Sequence, residues 1–463
     1  MTSMLKRALT TVGRCPLRAA PPALLAGTAE VRQLRAEVEK FDATLPLGDA
    51  LTLPSAYYTA PAALALERSA AVFGRSWLHV GHSAEVSAPG SFVTRDLLGS
   101  PVVVVRGEAP GGGEAGPLHA HFNVCSHHAM PVARGDGGGG GGGVLPRDAA
   151  TGRLGRFVCP YHGWEYLADG RLAKARSVKG MANFRNKDYG LKPLRAAEIG
   201  GLVFVSMDPG GSVGGGGSGG GDDSLASLSA AVSPLLDAVG AAGGGLEQLR
   251  FVARKEFELA CNWKVFADNY LDGGYHIPYA HPGLDGGVDM GTYASEVLQC
   301  GNSLQTVAAA PAPGAAEAGD GSSSSSSSGG GGGGDGRLGE SAAYGFCYPN
   351  LMLNRYGPWL DTNTIYPTGP TSCRVVFDYF LEEHEAAKPG AAHFIAESLQ
   401  ASEGVQDEDE MLCLGVQGGL GSAAYDQGRY NPQFEAPMYA FHRRLRRAYD
   451  EELRVLEGSE TDC

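Results

Sequence analysis

Two short segments of this 463-residue chain each place one cysteine close to one histidine. The sequence Cys-Ser-His runs from Cys125 to His127, and the sequence Cys-Pro-Tyr-His runs from Cys159 to His162. Thiol and imidazole side chains in short loops are ligands of zinc or of an iron–sulfur cluster. One shared metal centre would fix both loops at a single point, so these pairs constrain the fold more than any other feature of the sequence.

The way the ligands are paired distinguishes two kinds of metal site. Zinc fingers usually place cysteine with cysteine and histidine with histidine, whereas each loop here supplies one of each. That arrangement suits a [2Fe–2S] cluster in which two thiolates hold one iron and two imidazoles hold the other. A structural zinc site is the alternative.

The segment 76–209, with its short β-like stretches bounded by glycine and proline, resembles a Rieske domain. The resemblance implies that Cys125, His127, Cys159 and His162 hold a [2Fe–2S] cluster. The 31 residues between the two pairs exceed the separation usual in that family, and we attribute the surplus to a surface-loop insertion around Gly137–Gly143.

A second pair of histidines, His276 and His281, brackets a proline in the sequence DNYLDGGYHIPYAH. Such a pair alone is weak evidence, because core and surface histidines are common. Downstream of a Rieske-like domain, two histidines and a carboxylate on one face of iron form the pattern of a non-haem Fe(II) oxygenase. The chain thus resembles the catalytic subunit of the Rieske non-haem iron oxygenases across both domains.

In that family a carboxylate far downstream completes the iron site, and four consecutive acids at 407–410 are the candidates here. The resemblance implies that Asp409 is the third ligand, with Glu408 as its rival. The alternative for these acids is the first turn of a helix, where negative side chains favour the helix dipole. The family also couples its two metal centres through an acid before the first histidine. Asp272 lies four residues before His276, one more than is usual in the family, and could serve in that role.

The resemblance implies an α+β fold, in which an all-β Rieske domain precedes a catalytic domain whose antiparallel sheet is covered by helices in a helix-grip-like arrangement. We expect four parts along the chain. They are a transit peptide and N-terminal extension at 1–45, the Rieske domain at 76–209, a Gly/Ser linker at 210–224, and the catalytic domain at 225–463 with a disordered insertion at 308–340.

The stretch 348–380 most resembles family members that oxidise choline to betaine aldehyde with O₂ and electrons from reduced ferredoxin. A quaternary ammonium donates no hydrogen bonds, so aromatic faces must hold it. We expect Tyr356 and Trp359 to line the substrate pocket. The alternatives are a Rieske oxygenase that N-demethylates or hydroxylates glycine betaine or carnitine, an aromatic-ring hydroxylating oxygenase, and a Rieske electron carrier without a catalytic iron.

Composition limits the partners and the location. The formal charge of −14 argues against nucleic acid and anionic membranes, and no stretch is long and apolar enough to suggest a membrane helix. Residues 1–29 are basic and free of acids, which predicts an organelle transit peptide. A ferredoxin donor favours the chloroplast stroma, with the mitochondrion as the alternative. The resemblance further implies a homotrimer.

Overall fold

The computed structural model describes residues 29–134, 151–208, 225–240, 246, 249–282, 287–310 and 339–458. The predicted linker at 210–224, the glycine run at 137–143 and most of the predicted insertion lie outside these residues. Within the described residues, none of the helices is long and apolar enough to pass through a lipid bilayer.

The first domain is built almost wholly from β-strands. Seven strands form one sheet in the order β1-β10-β9-β4-β3-β2-β5. These strands are β1 (Trp77–His82), β2 (Ser91–Leu97), β3 (Ser100–Glu108), β4 (Ala115–Phe122), β5 (Thr151–Arg153), β9 (Pro193–Ile199) and β10 (Leu202–Ser206). Three short strands form a second sheet, namely β6 (Phe157–Val158), β7 (Glu165–Tyr166) and β8 (Leu172–Lys174). The predicted all-β domain is confirmed.

The second domain contains a seven-stranded antiparallel sheet in the order β11-β17-β16-β15-β14-β13-β12. Its strands are β11 (Leu249–Leu259), β12 (Val288–Val297), β13 (Ser303–Ala309), β14 (Ser341–Cys347), β15 (Leu351–Tyr356), β16 (Trp359–Gly369) and β17 (Ser372–Glu382). Its helices are α4 (Leu225–Val239), α5 (Trp263–Leu271), α6 (Ile277–Ala280), α7 (Glu383–Ala386), α8 (Ala391–Leu420) and α9 (Ala436–Gly458). The predicted α+β class, with helices on an antiparallel sheet, is confirmed.

Alternating side chains of this sheet enter two different cores, as expected for the two faces of a strand. Met352 packs in the core that contains residues of α5, α8 and α9, whereas its neighbour Leu353 packs with α4. Phe204 of strand β10 belongs to the same core as Leu353. One face of the sheet is therefore covered by the three helices, and the other is covered by α4 and the first domain.

The chain before the first domain is part of the folded body from residue 29 onward. Helices α1 (Ala29–Glu39), α2 (Ala56–Thr59) and α3 (Pro61–Leu66) pack together, and α1 also contacts α9. Val38 and Phe41 are fully buried in the main core. The segment 29–45, which the sequence analysis joined to a transit peptide, thus packs as part of the protein.

Buried and half-buried charged side chains connect the two domains, and we call Glu85, Arg95, Arg254 and Asp378 the interdomain ion-pair network. Arg95 of β2 donates to Glu85 at 2.9 Å, and Arg254 of β11 donates to the same carboxylate at 2.9 Å. Arg254 also grips Asp378 of β17 with two parallel hydrogen bonds of 2.6 and 2.7 Å. The two guanidinium groups hold the pKa of Glu85 well below its usual range although burial raises it.

Candidate active site

Each Cys/His pair occupies a tight loop closed by backbone hydrogen bonds. Cys125 N–H donates to Met130, and the carbonyl of Cys125 accepts from Ala129. In the second loop, Cys159 N–H donates to Trp164, and its carbonyl accepts from Gly163, whose φ of +67° suits glycine. The two loops are thus shaped in the same way, with a cysteine at the base of each.

The two loops bring like ligands together. Cys125 and Cys159 are both buried at 2 % exposure and contact each other through their thiols. The rings of His127 and His162 lie 4.6 Å apart nearer the surface, and Nδ1 of His127 is buried with no hydrogen-bond partner among the described residues. Two thiols at one end and two imidazoles at the other match the ligand set of a Rieske cluster. His128, which lies beside both imidazoles, is exposed.

Hydrogen-bond donors face the sulfur atoms of both cysteines. Burial raises the pKa of the Cys159 thiol, while the N–H groups of Tyr161 and His162 oppose this shift. The hydroxyl of Tyr166 lies 3.1 Å from Cys125 Sγ. Donors in these positions stabilise negative charge on cluster sulfurs and raise the reduction potential of a bound cluster.

A second set of donors converges in the catalytic domain. The Nε2 atoms of His276 and His281 are 3.1 Å apart. Asp409 Oδ1 lies 3.6 Å from the first of these nitrogens and 3.2 Å from the second. This oxygen is buried and makes no well-oriented hydrogen bond within the part of the chain that the structure describes. Two imidazole nitrogens and an orphaned carboxylate oxygen around one point fit a divalent iron.

A carboxylate contacts the Nδ1 atom of each of these two imidazoles. Asp272 Oδ2 lies 2.6 Å from His276 Nδ1, and Glu408 Oε2 lies 2.7 Å from His281 Nδ1. A carboxylate on Nδ1 fixes the tautomer that leaves Nε2 available as a ligand. Burial lowers the pKa of His281, but Asp409 and Glu408 outweigh it and the pKa is raised. Asp409 and Glu408 therefore occupy different positions, one between the imidazoles and one behind His281.

Local sequence explains how the histidines reach this point. Helix α5 ends at Leu271, with Asp272 as its C-cap residue, and Gly273 then takes a φ of +71° that allows His276 N–H to donate back to the Asp272 carboxylate at 3.1 Å. A Cβ on Gly273 would lie 2.3 Å from the carbonyl oxygen of Phe434, so the turn has no room for a side chain. The glycine turn thus places the Asp272 carboxylate against both the backbone N–H and the imidazole of His276.

Helix α8 supplies Asp409 and also fixes the start of α5. Ser402, Gln406 and Asp409 fall on one face of α8, since residues separated by three or four positions are neighbours on a helix. Further along α8, the Gln417 side chain accepts a hydrogen bond of 2.7 Å from the backbone N–H of Asn262, the N-cap residue of α5. This hydrogen bond joins the helix that carries the acid to the helix that precedes the histidines.

A cavity of about 900 Å³, counted with its opening to solvent, adjoins these donors. It lies between the helices and the sheet, and both histidines and Asp409 form part of its wall. Aromatic side chains supply much of the remainder, namely Phe266, Tyr270, Tyr293, Tyr344, Tyr356 and Phe377. Amides, one hydroxyl and one further carboxylate supply the rest of the polar lining, namely Asn269, Gln305, Asn354, Asp361, Asn363, Ser402 and Gln406.

The structure places one of the two predicted substrate residues at this cavity. Tyr356 lines it and donates a hydrogen bond to Asp361. Trp359 lies behind the wall instead, fully buried with its ring 5.9 Å from that of Phe394 on helix α8. The prediction for Trp359 is therefore corrected: the helix covers the strand face on which its side chain lies. Tyr293 and Tyr344, which the sequence analysis did not select, contribute to the lining from β12 and β14.

These features define a two-domain iron oxygenase, in which a Rieske-type domain stands beside a catalytic domain with two histidines and an acid at an aromatic cavity. Comparisons with known proteins agree. Residues 76–185 match the family described as "Rieske [2Fe-2S] domain", and residues 246–451 match "Ring hydroxylating alpha subunit (catalytic domain)". The chain belongs to the Rieske non-haem iron oxygenases as a catalytic alpha subunit, and its cofactors are a [2Fe–2S] cluster and a mononuclear iron.

Three relatives illustrate the similarity. A chloroplastic choline monooxygenase of Arabidopsis thaliana is 42 % identical over 413 residues, which cover 88 % of this chain and 84 % of that protein. The carnitine monooxygenase oxygenase subunit of Escherichia coli K12 is 33 % identical over 245 residues, covering 53 % of this chain and 56 % of that subunit. A crystal structure of the quaternary ammonium Rieske monooxygenase CntA with an inhibitor superposes with a TM-score of 0.67 at 24 % identity, covering 88 % and 99 % of the two chains.

Proposed function

We propose that this protein is a choline monooxygenase. The observation that carries the proposal is the aromatic cavity beside His276, His281 and Asp409. Quaternary ammonium groups are bound by aromatic faces, and four tyrosines and two phenylalanines line this cavity. The identity of 42 % to a protein named choline monooxygenase supports the same substrate.

The proposed ligands follow from the two donor sets. Cys125 and Cys159 would hold one iron of the cluster, and His127 and His162 would hold the other. His276, His281 and Asp409 would hold the mononuclear iron, which supplies O₂ activation with electrons delivered through the cluster. Asp272 and Glu408 keep the two imidazoles oriented by accepting their Nδ1 protons in hydrogen bonds.

In the proposed reaction, choline, O₂, two electrons and two protons give betaine aldehyde hydrate and water. One oxygen atom of O₂ is added to the carbon that carries the hydroxyl group, and the other oxygen atom of O₂ is released as water. The hydrate then loses water to form betaine aldehyde. The cavity wall would hold the trimethylammonium end, so that the alcohol carbon is the part of the substrate presented to the reaction.

The substrate test compares choline, glycine betaine and carnitine with the purified holoenzyme and reduced ferredoxin. We expect O₂ consumption matched by betaine aldehyde formation with choline only. Formaldehyde from glycine betaine or a product from carnitine, with no turnover of choline, would reject the proposal in favour of another quaternary ammonium oxygenase. The Cys125→Ser variant is the control for turnover that depends on the cluster.

We further propose a homotrimer that takes electrons from reduced ferredoxin in the chloroplast stroma. The His162 imidazole is exposed, which suits electron transfer to or from another protein. A mixture of Cys125→Ser and Asp409→Ala chains, unfolded and reassembled together, should regain activity that neither variant has if electrons pass between subunits. A mass of one chain in solution would contradict the trimer, and a fluorescent fusion of the whole chain outside plastids would contradict the location.

A further inference from the structure

One carboxylate of the cavity wall lies outside the proposed iron ligands. Asp361 of strand β16 is buried, with 3 % of its surface exposed, and its side chain forms part of the lining. It lies on the same face of the strand as Asn363, another lining residue, because residues two apart point to the same side. The cavity therefore contains a fixed acidic group besides Asp409.

Neighbouring side chains hold this carboxylate in place through hydrogen bonds to both of its oxygen atoms. The Tyr356 hydroxyl donates to Oδ1 at 2.5 Å, and the Asn354 amide donates to Oδ2 at 2.6 Å. Asn354 is itself oriented by the Tyr270 hydroxyl, which donates to its oxygen at 2.9 Å. Hydrogen-bond donors directed at a carboxylate stabilise its charged state. Two tyrosines of the aromatic lining are thus also the residues that organise Asp361.

We propose that Asp361 is the counter-charge for the cationic head of the substrate, and that it determines the preference of the cavity for a cation. The inference deepens the proposed function and rests on it. A quaternary ammonium offers no hydrogen to a carboxylate, so their attraction acts through space and is strong only where water is excluded. A buried carboxylate among aromatic faces supplies this attraction, and the aromatic rings contribute to it.

The same feature disfavours substrates that carry their own carboxylate. Among the described residues, the lining of this cavity includes neither lysine nor arginine. A zwitterion such as glycine betaine or carnitine would thus place its carboxylate near Asp361 without a cationic side chain in the lining to receive it. Juxtaposed like charges weaken binding, so the cavity should favour choline over either zwitterion.

The test measures binding by isothermal titration calorimetry to the holoenzyme kept oxidised, so that no turnover occurs. The ligands are choline, its neutral tert-butyl analogue and glycine betaine. We expect the wild-type protein to bind choline at least about thirtyfold more tightly than the neutral analogue. The Asp361→Asn variant should lose about this factor for choline while its affinity for the neutral analogue stays the same.

Two further variants control for changes in folding. Asp237→Asn removes the same charge from an exposed position on α4, across the sheet, and should bind choline as the wild type does. Tyr356→Phe keeps the charge of Asp361 and the ring, and should lose less choline affinity than Asp361→Asn. The visible spectrum of the cluster reports whether each variant is folded.

The outcomes separate this inference from the proposed function. Wild-type protein that turns over choline yet binds the neutral analogue equally well would overturn the role of Asp361 and leave the proposed function standing. The same holds if Asp361→Asn keeps wild-type affinity for choline. Wild-type protein that neither binds nor oxidises choline would overturn both. The wild-type comparison of the two ligands decides the question even if Asp361→Asn does not fold.

Discussion

Replacing the two neighbouring acids of helix α8 one at a time should affect the mononuclear iron very differently. Asp409 Oδ1 faces both imidazole Nε2 atoms at 3.2 and 3.6 Å, whereas Glu408 contacts His281 from behind, at Nδ1. Asp409→Ala removes one of three proposed protein ligands. Glu408→Ala leaves all three ligands and frees the orientation of one imidazole.

The magnitudes follow from these positions. Loss of a side chain that hydrogen-bonds to a metal ligand typically weakens metal binding by about 10- to 100-fold, or about 1.4–2.7 kcal/mol. Loss of a ligand itself should cost more, so that Asp409→Ala retains about two iron atoms per chain, those of the cluster. Glu408→Ala should retain about three iron atoms per chain when iron is in excess. It should lose the third iron atom at a lower chelator concentration than the wild type does.

The assay is iron analysis by mass spectrometry after dialysis against increasing chelator, with the electron paramagnetic resonance signal of the reduced cluster as the internal reference. Asp407→Ala, an exposed acid on the same helix, is the matched control and should behave as the wild type does. The reasoning is refuted if Glu408→Ala loses the third iron while Asp409→Ala keeps it. An unchanged cluster signal in all three variants ensures that the loss is local.

Three further predictions follow from other buried groups. Burial lowers the pKa of His79 from 6.5 to about 3, so the unfolded chain binds a proton in this range that the folded chain does not. The free energy of unfolding should therefore fall by about 1.4 kcal/mol per unit as the pH drops from 6.5 towards 3. Urea titrations should show a shallower pH dependence for His79→Gln, and equal slopes would contradict the assignment. Tyr166→Phe removes the hydroxyl 3.1 Å from Cys125 Sγ and should lower the cluster potential by about 65–130 mV in a spectroelectrochemical titration, since a hydrogen bond to a charged group contributes about 1.5–3 kcal/mol. Glu67→Gln leaves the fully buried ammonium of Lys264, 2.6 Å away, without its counter-charge and should cost about 3–5 kcal/mol of stability. Adding Lys264→Met should recover much of that loss, and a double variant less stable than the single one would count against this explanation.

The sequence predicted those parts of the site that occur as compact motifs. Cys125 and Cys159, with their histidines, belong to short loops whose spacing is set by the ligand geometry of one cluster. His276 and His281 likewise lie within six residues of each other, so their convergence is local. Asp409 was among four consecutive acids, and the structure brings it closest to the two Nε2 atoms.

The cavity wall could not be predicted in the same way, because neighbouring strands bring together residues that are distant in sequence. Tyr293 and Tyr344 reach the wall from β12 and β14, and no pattern near either residue distinguishes it from a core aromatic. Trp359 and Asp361 lie two residues apart on the same face of strand β16, but Phe394 of α8 covers Trp359. Whether a strand residue lines the cavity or lies in the core depends on whether helix α8 covers it, and only tertiary packing determines the position of that helix.

The interdomain ion-pair network has a consequence for how the protein unfolds. Arg254 belongs to the catalytic domain, yet it donates to Glu85 of the first domain as well as to Asp378 of its own. Separating the two domains would leave a buried charged side chain without its partner, and this loss would destabilise both domains. The cluster-bearing half should therefore not melt ahead of the other, and calorimetry should record one cooperative transition, with electron delivery and oxygen chemistry lost at the same temperature.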